Sequence, residues 1–255
     1  MKTTPQVLMR MIRVALTPRG LLLKTRLSNG ATVFGQNRAG FGGRGVYIYR
    51  DAVEPELQYL DRFLDASGVF VDVGANTGVY TLKAARHYGP QGVVVAIEPF
   101  PEVLAVLQHS VRANGFDNVR LRNLCLSDCT GARTLWQNFG KPNSFSLVQR
   151  DPNACSFSTL AVTLDDLLGW EGLDSLDYLK LDVEGAEREV LLGARQMIEK
   201  HRPIIQMEVT IEDVPVRLLD YTAFRAPGSA NKLCIPVEHP KIAVSRQLGW
   251  AQLAN

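Results

Sequence analysis

The stretch VFVDVGANTGVYT, residues 69–81, decides the fold because its character changes in the middle. Its first five residues, VFVDV, are almost all apolar, which is typical of a strand buried on both faces of a parallel sheet. Asp72 stands near the end of this run, and Gly74 and Gly78 follow at a spacing that indicates a turn. The question is which ligand needs an acid and a glycine turn at the end of a buried strand.

Strands and helices alternate along the rest of the chain. Apolar runs that predict strands lie at residues 69–73, 93–98, 119–126, 178–182 and 204–208. Helical patterns at residues 101–113 and 186–199 lie between them, each with apolar residues one turn apart. This alternation predicts an α/β fold with a doubly wound, mostly parallel sheet. Ligands of such sheets bind outside the carboxyl ends of the strands, where the strand order reverses.

Length and composition limit the possible classes of protein. A chain of 255 residues with 46% hydrophobic residues can bury a full core as one domain. Its formal net charge is +2, which provides no concentrated basic surface, so nucleic acid is not an expected partner. The four cysteines form no CxxC pair, which favours reduced thiols over a zinc site or a disulfide framework. No window reaches the roughly 18 apolar residues of a membrane helix, and we expect a cytoplasmic protein.

The N-terminal stretch QVLMRMIRVAL, residues 6–16, predicts a short amphipathic helix. Arg10 and Arg13 interrupt it, so it lacks the continuous apolar core of a signal peptide. Two interpretations are open: packing on the domain edge, or weak peripheral contact with an anionic membrane surface. Packing is favoured, because surface anchoring usually takes more apolar bulk. We therefore expect residues 1–44 to be an extension that packs on a domain formed by residues 45–255.

The glycine turn does not match the best-known nucleotide site of this architecture. A nicotinamide dinucleotide site has the pattern GxGxxG, whose third glycine lets the helix pack close under the pyrophosphate. Here Gly74 and Gly78 are present, but Asn76 stands between them and Tyr80 beyond them, so the pattern is incomplete. The spacing Asp72-x-Gly74-x-Asn76-x-Gly78 leaves backbone room for a small zwitterion. S-adenosylmethionine carries such a zwitterion, together with a ribose.

Two later strand ends offer the groups that the rest of this nucleoside needs. Glu98 ends the second strand, 26 residues after Asp72, and its carboxylate can accept hydrogen bonds from both ribose hydroxyls. Pro99 follows with a flat apolar surface for an adenine ring. After the third strand, Ser127 and Asp128 offer a backbone N–H or a carboxylate to the adenine edge.

These motifs resemble those of the FkbM-type S-adenosylmethionine-dependent methyltransferases over residues from about 45 to 210. The matching strings are DVGANTGVYT, IEPF, LCLSD, TLDDLL, YLKLDVEGAEREVLLGA and RPIIQMEV. Among them, Asp-Val-Glu-Gly-Ala-Glu at 182–187 is the characteristic signature. The resemblance implies a class I methyltransferase fold, which is Rossmann-like and has a seven-stranded, mostly parallel sheet whose last strand is antiparallel. It also implies O-methylation of a sugar or polyketide hydroxyl.

The resemblance and the strand-end argument together define the expected cofactor site. The resemblance assigns the glycine turn to the methionine end of the cofactor, Glu98 to the ribose and the Ser127–Asp128 pair to the adenine. The predicted cofactor-binding residues are Asp72, Gly74, Ala75, Asn76, Gly78, Tyr80, Thr81, Glu98, Pro99, Ser127, Asp128 and Asp182.

Asp182, Glu184 and Glu208 are the candidate catalytic residues, because they are carboxylates at neighbouring strand ends. A hydroxyl is a poor nucleophile until its proton is removed, so the protein must position the acceptor and take the proton. Clustering raises the pKa of one carboxylate and makes it a better base; alternatively, Mg²⁺ binds Asp182 and Glu208 and acidifies the hydroxyl. We assign no metal ligand, because no third one is evident. The position of Glu184 also has a structural explanation, since acids stabilise helix N-termini.

Residues 131–162 form a polar segment with interspersed aromatic residues. Such a segment above the strand ends suits a carbohydrate, whose ring faces stack and whose hydroxyls need polar partners. The alternative is a β-hairpin with its aromatic side chains packed inward. If both hold, the hairpin forms the wall of the acceptor pocket.

Other function classes stay open beside methyl transfer to a small molecule or glycan. An NAD(P)-dependent oxidoreductase shares the sheet but needs the missing third glycine. A non-catalytic partner subunit of the same fold would lose the ligand residues, which are all present here. Methylation of nucleic acid bases is disfavoured, because Asp182 precedes Val-Glu-Gly instead of a Pro-Pro-aromatic run. The sequence does not predict the oligomeric state.

Overall fold

The computed structural model describes residues 4–137, 145–147, 151–208 and 220–253. Its strands form a hairpin, a large mixed sheet and a small sheet. In chain order the strands are β1 (Leu22–Arg26), β2 (Thr32–Gln36), β3 (Val69–Val73), β4 (Val93–Ile97), β5 (Val119–Arg122), β6 (Cys125–Leu126), β7 (Gly131–Gln137), β8 (Phe145–Ser146), β9 (Ser156–Val162), β10 (Tyr178–Leu181), β11 (Ile204–Glu208), β12 (Tyr221–Arg225), β13 (Asn231–Pro236) and β14 (Ala251–Gln252).

Helices connect these strands. The α-helices are α1 (Pro5–Leu16), α2 (Gly43–Tyr49), α3 (Leu60–Phe63), α4 (Val79–Tyr88), α5 (Pro101–Asn114), α6 (Leu164–Trp170), α7 (Glu187–Leu192), α8 (Arg195–His201) and α9 (Ile242–Gln247). Short 3₁₀ helices lie at Arg50–Val53, Glu56–Tyr59 and Gly89–Gln91.

The large sheet has the strand order β14-β12-β13-β11-β10-β3-β4-β5. Strands β5, β4, β3, β10 and β11 are parallel, and β13 runs antiparallel to β11. The first strand of the large sheet, β3, lies at its centre. The chain then adds β4 and β5 on one side and crosses to the other side of β3 to form β10. The strand order therefore reverses between β3 and β10. This is the predicted class I methyltransferase sheet with its antiparallel strand, and the two-residue β14 extends its edge beyond the seven strands expected.

Apolar side chains cover both faces of the sheet, as the nearly continuous apolar runs predict. On one face, Phe70 stacks on Tyr178 with ring centroids 4.9 Å apart, and both pack in the cluster that includes Leu107 of α5. On the other face, Val71 and Leu179 pack in a second cluster with residues of α6, α7 and α8. Alternate residues of one strand thus enter different cores, which fixes the register of the sheet.

The strand predicted at 119–126 is wrong as a single element. β5 ends at Arg122 and belongs to the large sheet, whereas β6 begins at Cys125 and pairs with β9 in the small sheet. Between them, the side-chain amide of Asn123 donates to the carbonyl oxygens of Glu98 and Pro99, at 3.0 and 2.9 Å. These hydrogen bonds turn the chain away from the sheet at the edge of the cleft described below.

The helix predicted at 186–199 is also two elements, α7 and α8, separated by Gly193 and Ala194. A Cβ atom on Gly193 would lie 2.1 Å from the carbonyl oxygen of Ser127, so the chain is packed tightly at the break. The carboxylate of Asp165 accepts hydrogen bonds from the backbone N–H groups of Gln196 and Met197, at 3.1 and 3.0 Å. These hydrogen bonds cap the start of α8, whereas the apolar periodicity alone predicted that the first helix would continue.

The N-terminal helix predicted at 6–16 is confirmed as α1, and it contacts α2. β1 and β2 form an antiparallel hairpin, and β2 packs on α5. The division at residue 44 stays a prediction; α2 runs across it. Within the described ranges, none of the helices has the length and apolar character that crossing a bilayer requires.

The segment at 131–162 contains the antiparallel pair β7 and β9, so the predicted hairpin is confirmed. Together with β6 and β8 these strands form the small sheet. Phe139, Asn143 and Ser144, which also belong to this segment, lie outside the described residues.

Candidate functional site

The glycine turn after β3 holds three strand ends together. Gly74 has a φ of +77°, and a Cβ atom there would lie 2.0 Å from the carbonyl oxygen of Asp182, so only glycine allows this approach. The backbone N–H groups of Gly74 and Ala75 both donate to the carbonyl of Ile97, at 3.0 Å each. The turn therefore sits at the point where the strand order reverses, between β3 and β10.

Asn76 and Gly78 complete this turn. A Cβ atom on Gly78, at a φ of +77°, would lie 2.1 Å from a methyl carbon of Leu107, so the turn packs directly on α5. Asn76 adopts a φ of +47°, which is strained for a residue other than glycine. Its side-chain oxygen is buried and has no hydrogen-bond partner among the described residues. A ligand that donates an N–H or O–H group would satisfy this oxygen.

Three predicted cofactor residues, Asp72, Tyr80 and Thr81, lie on the interior side of the turn and support it. The carboxylate of Asp72 accepts hydrogen bonds from the backbone N–H and the hydroxyl of Thr81, at 3.0 and 2.5 Å. Asp72, Tyr80 and Thr81 are all buried. Burial raises the pKa of Asp72, and the bonds from Thr81 and the charge of Lys180 act in the opposite direction. These side chains hold the turn against α4.

The carboxylate of Glu98 bridges two loops. One oxygen accepts a hydrogen bond from the backbone N–H of Asn76, and the other from that of Phe100, both at 2.9 Å. Glu98 is buried, and this burial raises its pKa to about 7, although both hydrogen bonds favour the ionised form. Each carboxylate oxygen can accept a further hydrogen bond. Glu98 thus keeps capacity for two ligand hydroxyls.

Glu98 lines an open cleft at the carboxyl edge of the sheet. The cleft contains about 780 Å³ of empty space, part of which is open to solvent. Six predicted site residues line it: Gly74, Asn76, Glu98, Pro99, Asp182 and Glu184. The rest of the lining is mostly apolar and comprises Val73, Ile97, Cys125, Leu126, Leu135, Phe145, Leu147, Val183 and Ala186.

The small sheet forms one wall of this cleft. The rings of Phe100, Phe145 and Phe157 pack together, with centroids 5.0 to 5.8 Å apart. Phe145 lines the cleft along with Leu135 of β7. Residues of the segment 131–162 thus border the cleft, and their aromatic cluster joins the loop that follows Glu98; a wall for the acceptor stays a prediction.

Ser127 and Asp128, predicted to meet an adenine edge, lie just beyond this wall. The hydroxyl of Ser127 donates to the carboxylate of Asp128 at 3.0 Å, which lowers the pKa of Asp128. Ser127 is buried and Asp128 is exposed. Neither is among the residues that line the cleft, whereas their neighbours Cys125 and Leu126 are.

Lys180 is a site residue that the sequence reasoning missed. It lies on β10 between Asp72 of β3 and Gln206 of β11 and is 1% exposed. Its ammonium is 3.4 Å from the carboxylate of Asp182 and 5.2 Å from the centroid of the Tyr80 ring. Burial opposes its charge, but the acids around it, Asp182 first, raise its pKa. A lysine inside the apolar run YLKLD was the signal available in the sequence.

A buried polar network lies next to Lys180. The Tyr80 hydroxyl donates to Glu54 at 2.5 Å and accepts from the side-chain amide of Gln206 at 2.7 Å. The side-chain amide of Asn231 donates to both Glu54 and Glu56. One oxygen of Glu56 and the side-chain oxygen of Asn231 have no partner among the described residues. Burial raises the pKa of Glu54, and the charge of Lys180 lowers it.

Glu208 and Glu184 occupy the expected carboxyl ends. Glu208 ends β11 and stands opposite Asn231 of β13 in the register. Glu184 has a φ of +52° in the loop after β10. His239 lines a separate pocket with Asp177, which precedes β10, so this histidine lies at the amino end of the strands.

The metal hypothesis depends on Asp182 and Glu208. Within residues 4–137, 145–147, 151–208 and 220–253, no group of three or more His, Cys, Asp or Glu side chains is arranged to hold a metal ion. The described side chains thus offer two carboxylates at most for Mg²⁺, fewer protein ligands than a dedicated metal site would have. Mg²⁺ is nevertheless often held by one or two carboxylates and completed by water.

A family described as "Methyltransferase FkbM domain" matches residues 72–215, which is more than half of the chain. The chain is 28% identical over 261 residues to the 31-O-demethyl-FK506 methyltransferase FkbM of Streptomyces tacrolimicus, covering 88% of this chain and 97% of that protein. It is 29% identical over 186 residues to methyltransferase sdnD of Sordaria araneosa, covering 58% of this chain and 71% of that protein.

Solved structures of methyltransferases are also similar to this chain. The crystal structure of methyltransferase FkbM from Methylobacillus flagellatus shares 20% identity at a TM-score of 0.42, covering 66% of this chain and 43% of that one. Fibrillarin of Aeropyrum pernix, solved with bound S-adenosyl-L-methionine, shares 14% identity at a TM-score of 0.44, covering 84% of this chain and 92% of that one.

Proposed function

We propose that this chain, which belongs to the FkbM family of methyltransferases, transfers a methyl group from S-adenosylmethionine to a hydroxyl oxygen of a sugar, glycan or similar small molecule. The observation that carries the proposal is the position of the Glu98 carboxylate. It lies in a cleft at the reversal of strand order, with both oxygens held by backbone N–H groups and free capacity for two hydroxyls.

The residues of the cleft fit the parts of this cofactor. Glu98 suits the ribose diol, and the apolar lining beside it, Pro99 and Leu126, suits an adenine ring. The unsatisfied side-chain oxygen of Asn76 suits the ammonium of the methionine end. When bound, the cofactor supplies a methyl group already activated by the positive charge on its sulfur. The protein must then orient the acceptor oxygen and take its proton.

Asp182 and Glu208 have different tasks in this proposal. The Asp182 carboxylate already pairs with the ammonium of Lys180 at 3.4 Å, so Asp182 is better suited to orienting a hydroxyl or binding a cationic group. We assign proton removal to Glu208, at the next strand end. Proton removal of this kind typically contributes a factor of about 10²–10⁴ to the rate, and positioning contributes more. Glu184 lines the cleft, and in this proposal it contacts the cofactor.

The name of one relative supports oxygen as the accepting atom. The Streptomyces protein is named for methylating 31-O-demethyl-FK506, a substrate that lacks a methyl group on an oxygen. A hydroxyl acceptor also explains why carboxylates stand at the strand ends, because a hydroxyl, unlike a thiolate, must lose a proton to react.

The four cysteines are free, which agrees with reduced thiols. A cytoplasmic location stays a prediction.

The rival functions fit the cleft less well. A GxGxxG pattern that starts at Gly74 needs glycines at positions 76 and 79, and the chain carries Asn76 and Val79 there. A non-catalytic partner would not need a buried lysine beside Asp182, since burying a charge is costly.

Product analysis tests the proposal. The protein is incubated with methyl-labelled S-adenosylmethionine and a panel of glycans, glycolipid precursors and hydroxylated small molecules, and the products are examined by mass spectrometry. We expect label on a hydroxyl oxygen of at least one acceptor. Label found only on nitrogen or carbon would contradict O-methylation and leave methyl transfer itself intact.

A further inference from the structure

The N-terminal helix α1 presents its apolar side to solvent. Its large apolar side chains are about half exposed or more, at 52% for Leu8, 54% for Met9, 51% for Ile12 and 78% for Leu16. At 100° per residue these side chains, together with Met11, lie on one continuous side of the helix. None of the twelve residues of α1 is buried. The helix is therefore amphipathic, but its apolar side does not pack on the domain.

Polar contacts at the opposite side fix α1 in this orientation. The guanidinium of Arg10 donates to the carbonyl of Ile48 at 2.9 Å. The buried side-chain amide of Asn37 donates to the carbonyls of Val14 and Thr17, at 3.0 and 2.7 Å, where the helix ends. These contacts hold the backbone of α1 on the domain. The packing expected from the sequence is thus realised through the polar side, which leaves the apolar side available.

The charge of this part of the chain has one sign. Residues 1–50 contain nine of the 28 Lys and Arg residues and none of the 26 Asp and Glu residues. The remaining residues carry 19 basic and 26 acidic side chains, so the near-neutral total conceals a basic N-terminal segment. Arg13, Arg19, Lys24 and Arg26 of this segment are exposed. Such a segment attracts anionic surfaces.

We propose that α1 binds the surface of a membrane containing anionic lipids, with its apolar side in the interface and the exposed basic residues of the N-terminal segment adding attraction to the headgroups. Leu, Met and Ile on one side of a helix with arginines nearby are the composition of interfacial helices. A second copy of the chain fits less well, because pairing the apolar sides would bring two basic segments together. An acidic protein partner would not need an apolar side as wide as this.

Vesicle sedimentation with the full chain tests this inference without depending on the methyl-transfer proposal. The vesicles are phosphatidylcholine alone, or phosphatidylcholine mixed with phosphatidylserine. We expect binding to the mixed vesicles that weakens with salt, and little binding to phosphatidylcholine. The variant Leu8→Gln/Ile12→Gln should bind at least about tenfold more weakly, because it removes two exposed apolar side chains that would enter the membrane interface. The matched control Trp170→Gln, at an exposed apolar residue of α6, should bind as the wild type does.

Three outcomes would overturn the inference. They are no binding of the wild type to the mixed vesicles, equal binding of the Leu8→Gln/Ile12→Gln variant, and equal binding to both kinds of vesicle. Light scattering separates self-association from membrane binding, since a dimer that the double variant abolishes would mean that α1 pairs with a second copy. The double variant changes exposed residues only, and an unchanged melting temperature confirms that it folds.

Discussion

The ammonium of Lys180 lies 3.4 Å from the carboxylate of Asp182, two residues farther along the chain, although Lys180 is buried and Asp182 borders the cleft. The pair connects the sheet interior to the proposed reaction site. Asp72, fully buried on the neighbouring strand, faces the same lysine in the strand register. Lys180 therefore neutralises acids from two strands.

Replacing this lysine should destabilise the protein. Lys180→Met keeps the volume but leaves Asp72 and Asp182 without their cation, and we expect a loss of about 2 kcal/mol or more in the free energy of unfolding. Removing one partner of a fully buried pair costs about 3–5 kcal/mol, and the partial exposure of Asp182 reduces this. Chemical denaturation of Lys180→Met, Asp182→Asn and the double variant measures the coupling. Additive losses would show that the pair does not interact.

Glu98 should make cofactor affinity depend on pH. Its pKa of about 7 lies above the ordinary value, so the carboxylate takes up a proton as the pH falls through 7 and loses acceptor capacity for the ribose hydroxyls. We expect the affinity for S-adenosylmethionine to fall between about pH 8 and pH 6. In Glu98→Gln this dependence should vanish. A wild-type affinity that rises toward low pH would contradict the ribose assignment.

Gly74 and Gly228 form a matched pair for testing the turn. Both have a positive φ, but a Cβ atom on Gly74 meets the Asp182 carbonyl at 2.0 Å, whereas Gly228 has nothing within 4 Å. Gly228→Ala should cost only the backbone strain of about 1–2 kcal/mol. Gly74→Ala should cost more and abolish cofactor binding, because β3 and the loop after β10 must separate. Calorimetric binding curves that match for the two variants would show that the close approach is unimportant.

Asp182→Asn and Glu208→Gln should separate binding from chemistry. We expect Glu208→Gln to lower kcat by about 10² or more while cofactor affinity stays unchanged. Asp182→Asn should instead weaken the binding of cofactor or acceptor. Calorimetry measures the binding, and single-turnover kinetics measures the chemical step separately. Full activity of Glu208→Gln would refute its role as the base.

Chelation distinguishes a carboxylate base from metal assistance. With Glu208 as the base, EDTA should leave turnover unchanged. A loss of activity in EDTA that Mg²⁺ restores would instead show that Asp182 and Glu208 hold an ion, with further ligands from solvent or acceptor.

The sequence predicted the elements that depend on local pattern. Buried parallel strands are apolar throughout, and the composition of the turn at Gly74 indicates where β3 ends. The sheet and the end of β3 could therefore be predicted from the sequence. The breaks at Gly193 and Asn123 could not be predicted. Each depends on a contact with a residue distant in sequence, Ser127 for Gly193 and Glu98 for Asn123, and local periodicity carries no information about such contacts.

The site was predictable to a similar extent. Glu98 and Asp182 stand at strand ends, and strand order alone brings them to one cleft. The sequence does not tell whether the carboxylate of Asp72 faces the cleft or the backbone, and the structure adds that it accepts a hydrogen bond from the hydroxyl of Thr81. The network of Glu54 and Glu56 joins the site from a preceding loop, which carries no recognisable spacing.

Calorimetric titration of the wild type and Glu98→Gln with S-adenosylmethionine tests the central claim most directly. We expect one site per chain in the wild type and an affinity about ten- to a hundredfold lower in Glu98→Gln, because charged hydrogen bonds contribute about 1.5–3 kcal/mol. Glu199→Gln, at an exposed glutamate of α8, serves as the control and should bind as the wild type does. Absence of binding to the wild type, or equal affinity in Glu98→Gln, would contradict the account.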